Sequence, residues 1–181
     1  MDLARLIAEP PAARRFLPLP VPREVVDDAC ALTPSAPWRL VFAAGRARDR
    51  VKDTLLRVAH RGAMGIHLRG GAEHAAILRD YEFFGAPAIG LVCLQRDLEP
   101  ADASGLGLYL ATLSQALAAR GLETCAQLSA ARYPDVVRAE LDLAPDLAIL
   151  CGLAIGYPDP DFRSSKSPDG PEATAVVFID R

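Results

Sequence analysis

The chain has 181 residues, of which 51% are hydrophobic and 24% charged, and its formal net charge is −3. This length and composition are typical of one soluble domain that folds without disulfides or a structural metal. The absence of a basic excess argues against nucleic-acid binding, which relies on cations that replace phosphate counterions.

Apolar residues in the first half of the chain predict two helices around one buried strand. Prolines from Pro10 to Pro22 precede them and favour extended backbone, because proline fixes its own φ and biases the preceding residue away from helix. Four glycines before Tyr81 interrupt the pattern, so we expect loops or short helical pieces there. The predicted elements are an irregular arm over 8–22, a helix over 23–32, a strand over 38–44 and a helix over 46–60.

The second half begins with a continuous apolar run from Ala88 to Leu94, which predicts a central buried strand. A long, almost wholly apolar helix should follow, be buried, and end at Gly121. The remaining predicted elements are this helix over 103–120, a helix over 132–143, a strand over 147–155, and a strand over 175–179 within a C-terminal arm over 158–181. Alternating helices and strands indicate a layered α/β or α+β protein, and we expect a single domain over 1–181.

Several short patterns resemble chemical motifs but lack the residues that the chemistry needs. Gly105 and Gly107 could begin a dinucleotide loop, yet the third glycine would fall at Leu110 and no strand leads into the pattern. Close packing of this helix against a neighbouring element explains the two glycines better than a dinucleotide loop does. Three histidines stand seven residues apart between His60 and His74, but glycines interrupt the helix that would align them, so we expect no metal site. No serine stands in a G-x-S-x-G elbow, which leaves triad hydrolysis without support.

Basic residues near the two ends leave two interpretations open. Arg14 and Arg15 lie in the proline-rich arm, and Arg163 and Lys166 lie in the polar arm near the C-terminus. Such residues are usually solvated surface charges, but together they could also hold a phosphate group.

The cysteines and the N-terminus indicate a reducing compartment. No two of the four cysteines form a C-x-x-C pair, so we expect reduced, mostly buried thiols. The first seven residues lack the apolar core of a signal peptide, and no stretch approaches 18 uncharged apolar residues. We therefore expect a cytoplasmic protein without membrane partners. The cysteines are Cys30, Cys93, Cys125 and Cys151.

Three stretches of the chain are similar to the motifs of one known protein family. The run RRFLPLPVP at 14–22 is similar to that family's opening R-x-S-x-R-x-F-x-x-x-P-V, and PSAPW at 34–38 to its P-S-x-x-N-x-Q-P-W with the middle missing. The third stretch, over 83–168, contains FGAP, ARGLETCAQ, CGLAIGY and finally FRSSKSP, which is similar to the family's phosphate-contacting F-R-T-x-R-x-P. By the order and spacing of these runs, the chain resembles the FMN-dependent nitroreductase family over nearly its whole length.

The resemblance implies an α+β, three-layer fold with a central mixed sheet flanked by helices. It also implies a homodimer with one FMN per interface and ping-pong hydride transfer from NAD(P)H through the flavin to a small organic acceptor. By the same resemblance, the FMN phosphate would be held by Arg14, Arg163 and Lys166. Ser35 and Trp38 would flank the ring loop, and the backbone of Ala126, Gln127 and Leu128 would pass beneath the flavin ring.

The chain departs from the family pattern at several positions. The family's first arginine falls at Pro10 or Pro11 and its serine at Ala12, and its ring-loop Asn and Gln have no counterpart between Ser35 and Pro37. Two alternatives to an active flavoenzyme therefore stay open. The chain could be a flavin-poor scaffold with a binding or assembly role, or a subunit that completes its flavin site only with a partner chain.

Overall fold

A four-stranded sheet forms the centre of the protein in the computed structural model, which describes residues 13–33, 37–63, 72–95, 99 and 102–162. The spatial order of the strands is β1-β2-β4-β3. β2 is interior, as its apolar run predicts, and all seven of its residues are buried. The strands are β1 (Trp38–Ala44), β2 (Ala88–Leu94), β3 (Glu123–Gln127) and β4 (Ala148–Gly156).

All three strand pairings among the described residues are antiparallel, so no parallel pair of the expected mixed sheet lies in this part of the chain. Two helices connect β1 to β2 and return the chain to the end of the sheet at which β1 stops, so β2 runs back along β1. The strand predicted over 175–179 lies outside the described residues.

Helices cover both faces of this sheet and confirm the three-layer, α+β architecture. One apolar cluster lies between the sheet and α2, α3 and α6, and a second lies between the sheet and α1 and α4. The two-residue period of β2 divides its side chains between them: Ile89 and Leu91 join the first cluster, and Ala88 and Val92 the second. The helices are α1 (Arg23–Cys30), α2 (Gly45–Ala63), α3 (Ala72–Tyr81), α4 (Asp102–Ala118), α5 (Ser129–Arg132) and α6 (Pro134–Leu141).

Helix α4 ends as predicted but is buried on one face only. Gly121 adopts a φ of 81°, and the Leu122 N–H donates to the Leu117 carbonyl at 3.1 Å, which is a common helix stop at glycine. Leu113 and Leu117 face the core, whereas Leu108 on the outer face is 59% exposed. Within the described residues, the helix that we expected to be buried is therefore covered on one face only.

Two helical predictions need correction. The glycine-containing stretch before Tyr81 includes α3, a regular helix of ten residues, where we expected loops or short helical pieces. The single helix expected over 132–143 is instead α5 followed by α6, with a break at Tyr133. Pro134 explains the break, because proline starts a helix well and biases the residue before it towards extended backbone.

The cysteines agree with the sequence expectation, since all four are free thiols, with Cys93 and Cys151 buried. Within the described ranges, no helix is both long and apolar enough to cross a membrane.

Candidate functional site

The N-terminal arm is paired with the chain that leads out of β4. Phe16 forms an antiparallel bridge with Pro158, and the Leu17 N–H donates to the Tyr157 carbonyl at 2.9 Å. Arg15 strengthens this pairing, because its Nε lies 3.4 Å from Asp159 Oδ2 and its guanidinium lies 5.6 Å from the centre of the Phe162 ring. The arm is thus held beside the segment that immediately precedes Arg163.

Arg14 lies on the same arm but differs from Arg15. Its side chain is exposed and makes no ion pair within the described part of the chain. It lies close to Cys125 on β3 and Asp80 at the end of α3, and its positive charge lowers the pKa of both groups. The larger effect at both is burial, which raises the pKa of the Asp80 carboxyl and of the Cys125 thiol.

Strand β3, which the sequence did not reveal, carries the residues expected beneath the ring. Alternate side chains point to opposite faces, so Cys125 and Gln127 share one face of the strand and Ala126 lies on the other. Gln127 is buried at 5% exposure, whereas Ala126 is exposed and Leu128 is 69% exposed. The two exposed apolar side chains lie at the end of β3.

A buried polar contact lies under this turn. Ser129 Oγ donates to Gln127 Oε1 at 2.7 Å and lies 3.4 Å from the Asp80 carbonyl oxygen. Sequence reasoning considered Ser129 only as a hydrolytic serine, which it rejected, and did not single out Asp80, because nothing in their local sequence shows that α3 and α5 meet. The contact joins the end of β3, the start of α5 and the end of α3.

Trp38 is not part of this group. It begins β1, which lies at the edge of the described sheet opposite to β3, three strand spacings of about 4.8 Å each from Gln127. Its indole packs on α4, with ring centres 6.5 Å from Tyr109. A Cβ on Gly105 would lie 3.2 Å from the Trp38 ring, so this glycine does permit close helix packing, whereas Gly107 has no such neighbour.

The other predicted site residues cannot be placed. Ser35, Arg163 and Lys166 lie outside the described residues. His60 is on α2 and His74 on α3, so the evenly spaced histidines do not share one helix. Among the described residues, no group of histidine, cysteine or acidic side chains could hold a metal ion.

Comparison with known proteins identifies the family. No family model matches the chain. A chloronitrobenzene nitroreductase from Comamonas testosteroni is 30% identical over 196 residues, which cover 85% of this chain and 86% of that enzyme. The chain belongs to the nitroreductase family. The resemblance described from the sequence motifs is therefore confirmed.

Solved nitroreductase structures agree with this assignment. A variant of the FMN and NADPH-dependent nitroreductase NfnB from Sphigopyxis sp. strain HMH matches with a TM-score of 0.84 and 22% identity, and all of each chain is covered. The FMN-dependent nitroreductase NfnB from Mycobacterium smegmatis in complex with NADPH matches with a TM-score of 0.70 and 26% identity, covering 95% of this chain and all of that one. The described part of the chain thus has the nitroreductase fold.

Proposed function

We propose that the chain is an FMN-dependent NAD(P)H oxidoreductase of nitroreductase type. Bound FMN would supply the hydride carrier, taking two electrons from NAD(P)H and passing them to a small organic acceptor in a ping-pong sequence. The mycobacterial neighbour, which is FMN-dependent and was solved with NADPH, supports the cofactor and the donor. The chloronitrobenzene nitroreductase supports a nitroaromatic acceptor.

The position of Arg14 carries this proposal. Arg14 is an exposed cation without an ion pair in the described residues, so its charge is available for an anion. Its neighbour Arg15 anchors the arm to Asp159 and Phe162, directly before Arg163. Arg14, Arg163 and Lys166 would hold the FMN phosphate through charge-assisted hydrogen bonds, which suit arginine well.

The end of β3 fits the ring of the same molecule. The apolar side chains of Ala126 and Leu128 are exposed at the end of β3, as suits a surface that an aromatic ring covers. The backbone N–H groups from Ala126 to Leu128 would support the flavin edge and help to exclude water.

A homodimer would complete this site. Trp38 and Gln127 lie at opposite edges of the described sheet, so one flavin can contact both only if they come from two chains. Ser35 and Trp38 would then belong to the partner chain, and the predicted strand over 175–179 would add to the partner's sheet. The exposed apolar side of α4 supports an interface between two copies.

The domain and its location are part of the same proposal. The chain forms one domain over 1–181, with arms over 8–22 and 158–181 that pair where they are described. Four free thiols fit the reducing cytoplasm, where NAD(P)H is also available.

Purified protein tests the function directly. We expect a yellow preparation whose flavin is released on denaturation, and NAD(P)H oxidation that depends on an added nitrobenzene derivative. Colourless protein that takes up no FMN would favour the flavin-poor scaffold. Colour that appears only on co-expression with another chain would favour the subunit that needs a partner.

A further inference from the structure

The side chains of Gln127 and Ser129 form a buried pair on either side of an exposed residue. Gln127 is 5% exposed and Ser129 is 3% exposed, and the Ser129 hydroxyl donates to Gln127 Oε1 at 2.7 Å. Leu128 between them has a φ of −97° and a ψ of −2°, and its side chain points outward. The pair therefore closes a turn that holds Leu128 on the surface.

Packing alone does not explain a glutamine here. Gln127 Nε2 is buried without a hydrogen-bond partner in the described part of the chain, which is unfavourable for an amide. An apolar residue of similar volume would fill the same space without leaving this group unpaired. What the amide provides is its oxygen, which accepts the Ser129 hydroxyl proton and so fixes the start of α5 against the end of β3.

We propose that the Gln127–Ser129 pair positions the backbone of Ala126 to Leu128 against the flavin. Gln127 and Ser129 are then positioning residues, because their side chains act through the backbone that touches the ring. This inference rests on the proposed function, and it assigns to the Gln127 side chain a role that the family motif does not state. It predicts that breaking the pair changes flavin binding and the flavin environment, and not stability alone.

The same strand offers a matched control. Thr124, buried on the opposite face of β3, donates from Oγ1 to Ser114 Oγ of α4, also at 2.7 Å. Ser129→Ala and Ser114→Ala each remove one hydroxyl and leave one buried partner on β3 unpaired. Both variants should lose similar stability, but only Ser129→Ala alters the turn at Leu128.

The experiment measures FMN affinity, the visible flavin spectrum and the flavin reduction potential of the holoprotein and both variants. We expect Ser129→Ala to weaken FMN binding about tenfold, as the loss of one hydrogen bond would, and to shift the spectrum and potential. Ser114→Ala should leave all three close to wild type. Ser129→Thr, which keeps the hydroxyl, should restore them.

Several results would overturn the inference. If Ser129→Ala and Ser114→Ala change FMN affinity, spectrum and potential equally, the pair has only a structural role. If Ser129→Ala does not fold, Gln127→Met takes its place, and wild-type flavin properties in that variant would also refute the inference. A wild-type chain that binds no FMN would refute the proposed function and this inference together, whereas the preceding results refute the inference alone.

Discussion

Two adjacent arginines in the N-terminal arm have different surroundings. Both are exposed, but Arg15 is paired with Asp159 and lies against Phe162, whereas Arg14 makes no ion pair in the described residues. The sequence resemblance selected Arg14 for the phosphate. Composition alone could not distinguish Arg14 from Arg15, because only contacts with a segment close to the other end of the chain make their surroundings different. Arg14 is therefore the residue to change first.

Arg14→Ala should weaken FMN binding by about 1.5 to 3 kcal/mol, which is roughly ten- to more than a hundredfold, because it removes a charged hydrogen bond to phosphate. Isothermal titration of apoprotein with FMN measures this. Arg23→Ala is the control, since Arg23 is an exposed arginine on α1 and its loss changes the net charge equally. Equal affinities of the two variants would exclude Arg14 from the phosphate site.

The raised pKa of Asp80 predicts how the stability of the protein depends on pH. Burial raises the pKa of its carboxyl, which a hydrogen bond from Ser129 and the charges of Arg132 and Arg14 lower only in part. The folded chain then holds the proton more tightly than the unfolded chain, so this group's contribution to stability is present below about pH 3.9 and is lost as pH rises through the raised pKa.

Urea unfolding between pH 4 and 7 tests whether the Asp80 contribution to stability is lost as pH rises. The free energy of unfolding should fall less steeply with rising pH in Asp80→Asn than in wild type, because the titrating group is gone. Glu123, whose pKa burial also raises, remains in both proteins and contributes the same slope to each. Parallel slopes for the two proteins would show that Asp80 does not titrate in this range.

At the scale of elements, α4 has one side that the single chain leaves uncovered. Leu108 is 59% exposed on this side, and Gly107 and Ala111 beside it are exposed as well. If this side forms the dimer interface, Leu108→Lys should produce a monomer, because a charge would be buried without a partner. Light scattering at micromolar concentration measures the mass.

Ala75→Lys is the control for this prediction, because Ala75 is exposed on α3, which covers the face of the sheet opposite to α4. It should stay a dimer. A monomeric wild type, or a Leu108→Lys variant with the wild-type mass, would contradict the proposed interface.

The elements that the sequence missed share a physical cause. β3 has only five residues and lies between Gly121 and a short helix, so its alternation is too brief to stand out from a loop. The helix before Tyr81 is preceded by glycines that normally indicate loops, but its partly buried Ile77 joins the first core cluster, and tertiary packing outweighs the local signal. In contrast, β1 and β2 have the predicted bounds, because each is a long apolar run between turn residues.

At the scale of the whole molecule, the sequence motifs predicted the family correctly. They did not show where in the sheet the predicted site residues lie. Trp38 and Gln127 belong to the same predicted site, and yet the antiparallel order of the sheet separates them to opposite edges. A motif records spacing along the chain and not the strand order, so it could not show that these two residues lie far apart within one chain. In contrast, Arg14 on the arm does lie near β3: burial raises the pKa of the Cys125 thiol, and the charge of Arg14 lowers it in part.

The shortened ring loop gives the last prediction, which concerns the assembled holoprotein. A side-chain amide at the flavin's pyrimidine edge would stabilise the negative charge that develops on reduction, and the chain has no residue for this role between Ser35 and Pro37. We expect flavin reduction by NADH or NADPH to be slower than about 1 s⁻¹, the lower end of common enzyme turnover, even with FMN bound stoichiometrically. Anaerobic stopped-flow mixing measures the bleaching of the flavin, and dithionite serves as the control that all of the flavin can be reduced. Rapid and complete bleaching by either nucleotide would show that the backbone N–H groups near Gln127 stabilise the charge without a side-chain amide.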